Sequence, residues 1–204
     1  VIIVSGMGGG AGSGAAPLVA RIAKEADPEV LAVGVVTSPF GFEGAARAEK
    51  AEAAVREMRD SVDCLLKIPN DRVLQLMEKD PATTEAFLKV DDLLRQAVEG
   101  MTAVLTTGIV ILVEFADTQK VLRKAGDALL GIGADDGSGG FVEAAKRAVR
   151  CPLFDEAAMA AARGVLVTFT GRKDQMRLPD LQAAMDYLRG AADPDAAMKF
   201  GLAF

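Results

Sequence analysis

The chain has 204 residues, half of them apolar and a quarter charged, with 29 acidic side chains against 23 basic ones and a formal net charge of −6. That is enough chain to bury a core in one large domain or two small ones, and the acidic balance argues against nucleic acid, whose phosphates need clustered Lys and Arg. The absence of histidine removes imidazole acid–base chemistry and most zinc or iron sites, so catalysis must rest on carboxylates, arginine, hydroxyls or backbone groups.

The β-branched run Val1-Ile2-Ile3-Val4 predicts a strand. It leads into Gly6-Met7-Gly8-Gly9-Gly10-Ala11-Gly12-Ser13-Gly14, six glycines in nine residues, and then into a helix-forming segment. Glycine lets a ligand approach the backbone, and a helix start leaves amide N–H groups unpaired, so strand, loop and helix together form an anion site suited to a nucleotide phosphate. Pro17 falls near the start of the helix, where its missing N–H costs little. Leu18, Val19, Ile22, Ala23 and Ala26 repeat at helical spacing, and Pro28 ends the element. The continuous apolar run 30–37 predicts a parallel strand covered on both faces. A loop at 38–42, a helix from Glu43 to about Arg59 and a strand at 64–68, closed by Pro69-Asn70-Asp71, complete an alternating α/β half.

From Val90 to Leu105 the apolar residues recur at three- and four-residue steps, predicting a long, largely buried helix that breaks at Thr106-Thr107-Gly108. A short apolar stretch at 109–113, the sequence Glu114-Phe115-Ala116-Asp117 and a helix to about Lys124 follow. Next come a strand at 128–132, a helix at 140–150, a strand at 164–170, a helix at 178–189 and, from Lys199, the start of a strand whose hairpin partner is missing. Asp135-Asp136-Gly137-Ser138-Gly139-Gly140 reads as an exposed, mobile loop. The organisation is a nucleotide-type α/β subdomain over 1–89, the central helix over 90–106 as the seam, and an α+β subdomain over 107–204. Cys64 and Cys151 lie in apolar surroundings without metal spacing and read as buried thiols in a reducing compartment. Without a signal peptide or a membrane-length apolar run, the expected location is the cytoplasm, with no direct membrane insertion.

Two nucleotide motifs are weighed against the glycine loop. Gly9 to Gly14 has the P-loop spacing, but Ala15-Ala16 stands where Lys-Ser/Thr is required, which excludes a Walker ATPase. Gly10-x-Gly12-x-x-Ala15 satisfies the dinucleotide fingerprint. A Rossmann site also wants an acid at the tip of the second strand, and that tip is Thr37-Ser38.

Gly6 to Pro17, Pro39-Phe40-Gly41-Phe42-Glu43-Gly44 with Arg47, Ile68-Pro69-Asn70-Asp71 and Glu114-Phe115-Ala116-Asp117 resemble, in that order and at those distances, the FtsZ family, bacterial homologues of tubulin. The resemblance implies a parallel GTPase sheet joined by the central helix to an α+β activation subdomain, and a GTPase that polymerises head to tail in the cell-division ring. GTP or GDP is the implied ligand, with Mg2+ a candidate companion. Gly8, Gly9, Gly10, Ala11, Gly12, Ser13 and Gly14 would hold the phosphates, Glu43 the ribose and Arg47 the phosphate side, while Asn70, Phe87 and Asp91 match the guanine pocket. The alternative for Glu43 and Arg47 is a simple surface pair at i, i+4, and for Asp91 a solvated helix residue.

Asp91 and the acids Glu114 and Asp117 lie at opposite ends of the central helix, about 20–30 Å apart at 1.5 Å per residue. In the family those acids complete the nucleotide site of the next subunit, a heterologous contact that propagates as an open filament. Here the family's Asn-x-Asp-x-x-Asp is Leu112-x-Glu114-x-x-Asp117, and Ala11 replaces a usual threonine, so reduced hydrolysis is expected. The implied partners are further copies of the chain, with division-ring or membrane-adaptor proteins as candidates. The family's GTPase subdomain begins before residue 1 and its C-terminal part runs beyond residue 204, so the chain reads as a stretch truncated at both ends or as a reduced family member. Were these residues the whole polypeptide, apolar edge surface would be exposed beside residues 1–4. Two alternatives stay open: a non-hydrolysing scaffold or regulator of the same fold, and an NAD(P)-binding domain.

Overall fold

The computed structural model describes residues 1–77, 81–103, 109–111, 115–135, 139–153 and 156–203. In chain order the elements are β1 (Ile2–Gly6), α1 (Gly10–Ala26), β2 (Val33–Ser38), a 3-10 turn at Gly41–Glu43, α2 (Ala45–Ser61), β3 (Cys64–Pro69), α3 (Asn70–Val73) with a 3-10 turn at Leu74–Leu76, and α4 (Thr83–Ala103). Then follow β4 (Ile109–Ile111), α5 (Phe115–Leu122), β5 (Gly126–Ala128), α6 (Gly140–Val149), α7 (Glu156–Ala160), β6 (Gly164–Thr170), α8 (Leu178–Ala191) and β7 (Ala197–Ala203).

The chain divides into two units, Val1–Val98 with Leu122–Leu130, and Glu99–Val121 with Gly131–Phe204. The first holds a four-stranded sheet of order β1-β2-β3-β5 in which every neighbouring pair is parallel. β2 is buried along almost its whole length, as a strand covered on both faces must be. The core gathers Ile3, Met7, Ala20, Val36, Val55, Met58 and Leu65 from strands, from the loop after β1 and from α1 and α2. Asp63 fastens the sheet from beneath. Its Oδ2 accepts the Ala32 N–H at 3.0 Å, and its Oδ1 lies 3.2 Å from Lys24 Nζ. β1 is the outer strand of this sheet, and Val1 just before it, Val4 on it and Leu18, Val19 and Ile22 on α1 are exposed.

The second unit has a three-stranded sheet of order β4-β7-β6. Its core is Phe169, Leu181, Met185, Leu188, Val149, Met159 and Leu202. Among the described residues no helix is long and apolar enough to cross a membrane.

Several boundaries differ from the sequence reading, each for a local reason. α1 begins at Gly10, so Pro17 stands inside the helix. Its ring is fully buried, and that packing offsets the missing hydrogen bond. Glu43 is not helical: it ends a 3-10 turn, and Gly44 at φ +96° separates that turn from α2. α4 starts seven residues before Val90 because its first turn is polar and leaves no apolar period. The Glu85 carboxylate accepts the Ala82 N–H there at 3.2 Å, one half of a capping box. The strand expected at 128–132 is β5, at Gly126–Ala128, fixed by the Gly126 N–H donating to Asp63 O at 3.0 Å.

β7 is no orphan of a hairpin. It pairs parallel with β6 and antiparallel with β4, and the β6-α8-β7 crossover supplies the return that parallel pairing needs. Asp135 is not exposed. Its side chain is 4% accessible and accepts the N–H groups of Gly139 and Gly140, both at 2.9 Å. The α7 turn was not anticipated, and the helix break at Thr106-Thr107-Gly108 lies outside the described residues.

Both cysteines are free and buried. Burial, with Asp63 adding to it, pushes the Cys64 thiol up to about 11. The unfolded chain therefore loses this proton first, and Cys64 lowers stability as pH rises from its ordinary value of 9.0 towards about 11, having no such effect below that window. Iodoacetamide at pH 8 is expected to label Cys64 only after denaturation, which peptide mapping reads directly.

Candidate functional site

The three parallel strands β1, β2 and β3 end together. In register, Gly6 faces Thr37, Thr37 faces Ile68, and Ser38 faces Pro69. The glycine loop, the 38–44 segment and Asn70 therefore leave the sheet side by side at its carboxyl edge, where open α/β sheets bind ligands.

The loop closes through its own backbone. The Met7 N–H donates to Thr37 O at 2.9 Å, and the Gly8 N–H donates to the buried Ser13 Oγ at 2.8 Å. Gly8 takes φ +99°, and a Cβ there would lie 2.8 Å from Arg47 Cγ. Gly12 is where the first turn of α1 passes over the end of β1, and a Cβ there would lie 2.2 Å from Gly6 O. At Gly9, Gly10 and Gly14 nothing lies within 4 Å of an added Cβ. No side chain caps α1 and no acid stands in its first turn. With neither cap nor acid, the first amide groups and the positive end of the helix dipole make a receptor for anionic oxygen.

Beside the loop stands an ion pair. Arg47 Nη1 is 2.9 Å from Glu43 Oε2, while Glu43 Oε1 accepts the Phe40 N–H at 2.8 Å. The pairing thus forms across the break at Gly44, and through Arg47 it lies against Gly8. Phe40, 1% exposed, is a hub that stacks on Phe42 at 5.1 Å and meets Phe87 edge-on at 5.2 Å. Phe87 and Asp91 are one turn apart on α4 and both exposed. Asp91 has no ion-pair partner among the described residues. The neighbouring Asp92 is engaged by Arg95, at 2.6 Å, and by Gln96, and Arg95 holds its carboxyl below the usual range.

Asn70, the first residue of α3, is buried, and its Oδ1 has no hydrogen-bond partner among the described residues; nor has Ser38 Oγ on the neighbouring strand end. A buried polar atom left unpaired costs about 1–3 kcal/mol, so these two point to a guest that completes them. Next to Asn70, Asp71 Oδ1 accepts the Gly41 N–H at 3.0 Å and ties the β2 loop to the end of β3.

The structure thus brings the loop residues 8–14, Glu43, Arg47, Asn70 and Phe87 to one edge of the first unit, with Asp91 one turn beyond Phe87. Phe40, Ser38 and Asp71 were missed as site residues. Phe40 and Asp71 stand in the motifs without a role, and Ser38 is marked in the sequence only as a strand tip that lacks an acid.

Asp117 lies in the second unit, on α5, with Lys199 Nζ donating to Oδ2 at 2.9 Å and Lys120 Nζ 3.4 Å from Oδ1. Lys199 first, then Lys120, hold its carboxyl below the ordinary range. Glu114 and Leu112 lie outside the described residues.

A model of the tubulin/FtsZ family GTPase domain matches residues 1–78, and one of the FtsZ family C-terminal domain matches residues 126–204. The chain belongs to the tubulin/FtsZ family. An empty FtsZ dimer from M. jannaschii is 32% identical and has a TM-score of 0.92, with coverage of 100% of this chain and 58% of that one. A second M. jannaschii FtsZ structure, of a point mutant, has the same identity and TM-score and is covered to 60%. The GTPγS-bound CetZ2 protofilament of Haloferax volcanii shares the fold at 20% identity and a TM-score of 0.78, over 98% of this chain and 59% of its own. The chain therefore spans a little under two thirds of the FtsZ chains it matches. The α/β tubulin/FtsZ fold expected from the sequence is the one observed, a parallel GTPase-type sheet followed by an FtsZ-type C-terminal domain.

Proposed function

We propose that this protein binds GTP or GDP at the carboxyl edge of the β1-β2-β3 sheet, assembles head to tail into cytoskeletal filaments, and hydrolyses GTP slowly between subunits, in the cytoplasm at the division site. The observation that carries the reading is the uncapped start of α1, walled by the glycine loop and flanked by the orphaned Asn70 Oδ1. The loop amides would take the phosphates, Glu43 and Arg47 would serve ribose and phosphate, and Asp91 would accept from the guanine edge beside the Phe87 ring. A Mg2+ ion would be held chiefly through phosphate oxygens, since no group of three or more acidic or cysteine residues among those described could enclose one.

Self-association is supported by the relatives that are an FtsZ dimer and a CetZ2 protofilament. Asp117, with Glu114, would orient water on the nucleotide of the next subunit, and division-ring or membrane-adaptor proteins are the proposed partners of the filament. Two features point to slow turnover: Leu112 has no hydrogen-bonding side chain, and Ala11 lacks the hydroxyl of the family's usual threonine. They equally favour a non-hydrolysing scaffold as the second reading. A dinucleotide site would want an acid where Ser38 stands.

GTP turnover per subunit, measured over a range of protein concentrations, separates these readings. Intersubunit hydrolysis gives negligible turnover below a threshold and a rising rate above it. A rate per subunit independent of concentration excludes the intersubunit site, and polymer without turnover at any concentration selects the scaffold.

A further inference from the structure

The two lysines on Asp117 are not equivalent. Lys199 stands on β7, the central strand of its sheet, in register with Leu166 of β6. Its ammonium is 2.9 Å from Oδ2 and its side chain is 38% exposed. Lys120 stands one turn on from Asp117 on α5, is 76% exposed, and approaches Oδ1 at 3.4 Å. α5 itself is seated on the sheet: Thr118 is fully buried, and Val121 lies so close to Gly164 that a Cβ there would be 2.9 Å from Val121 Cγ1. One carboxylate oxygen is therefore held by a short bond from the central strand, and the other by a longer contact from an exposed side chain of its own helix.

We propose that Lys199 is a positioning residue for the hydrolysis assigned above: it pins Asp117 Oδ2 so that Oδ1, approached among the described residues by Lys120, is the oxygen presented to water on the neighbouring nucleotide. The inference rests on that functional reading. Lys199 from β7 and Lys120 from α5 are the cations on Asp117 among the described residues. Held between them, Asp117 stays ionised and orients water as an acceptor rather than drawing off its proton.

The test compares Lys199→Met and Lys199→Arg with the unaltered protein, reading kcat above the assembly threshold, affinity for a fluorescent GTP analogue, and titration of the Asp117 carboxyl by NMR. Lys199→Met is expected to lower kcat roughly tenfold, the order of effect that small misplacement of an orienting group produces. GTP affinity should be unchanged, and the Asp117 titration should rise towards the ordinary carboxylate value. Lys199→Arg should restore most of both. Should the Met variant not fold, Lys199→Gln, which keeps a donor without the charge, takes its place. Unaltered kcat in a folded variant, an unmoved Asp117 titration, or failure of arginine to rescue overturns the pin while leaving intersubunit hydrolysis standing. Absence of turnover in the unaltered protein at every concentration overturns both.

Discussion

Gly12→Ala is expected to lose GTP binding and about 3 kcal/mol of stability, the larger end of overpacking penalties. An alanine Cβ would lie 2.2 Å from Gly6 O, 2.6 Å from Ser5 Oγ and 3.3 Å from Gly6 C. These are largely backbone atoms, and they cannot yield, because Gly6 is the last rung of the β1-β2 ladder and the next residue, Met7, donates to Thr37 O. The first turn of α1 must lift instead, carrying with it the amides that would face the phosphates. Losing two such charge-assisted bonds at about 1.5 kcal/mol each weakens binding by roughly a hundredfold. Gly190→Ala, in α8 and outside the proposed cradle, is the internal control. Nothing lies within 4 Å of its added Cβ and the position is helical, so it should stabilise by about 0.5–1 kcal/mol and bind GTP normally. Urea unfolding and fluorescent-GTP titration of the two variants decide the matter. Normal binding by Gly12→Ala would remove the loop from the site.

What could be read in advance follows from how local each signal is. The β2 strand was legible because burial on both faces leaves a continuous apolar run, and β6 because its β-branched and apolar residues run unbroken between Gly164 and Gly171. The glycine loop was legible as an anion site because its chemistry is all backbone. The start of α4 was not, since Thr83, Thr84 and Glu85 carry no apolar period and are held by a side-chain cap. Partners distant in sequence were least accessible. That β7 pairs on both sides depends on β4 some 90 residues earlier, and Lys199 reaches Asp117 across 82 positions. The Glu43–Arg47 pair was foreseen as i, i+4 spacing, yet it forms across a break set by Gly44 at φ +96°. Its contact with Gly8 follows from packing alone.

Asp117→Ala is expected to lower GTP turnover by about 10²–10³-fold, the range for removing one positioned polar group from a phosphoryl- or acyl-transfer site. GTP affinity should not change, because every residue of the proposed cradle lies in the first unit and Asp117 in the second. Assembly should persist as well, so GTP-induced light scattering should reach its plateau and hold it longer than with the unaltered protein, hydrolysis being what ends the GTP-bound state. The pH dependence gives an independent check. Lys199 and Lys120 hold the Asp117 carboxyl below its ordinary value of 3.8, so its charge is constant at every higher pH and cannot generate an acid limb in turnover near neutrality. A limb between pH 5 and 7 that disappears in Asp117→Ala would mean that the carboxylate titrates in the working filament. The lysines would then have left it there, and Asp117 would act as a proton acceptor instead of a fixed anion. A flat profile with turnover lost in the variant assigns Asp117 the orienting role, in which its two cations keep it charged and its free lone pairs hold the water in line with the γ-phosphate of the neighbouring subunit.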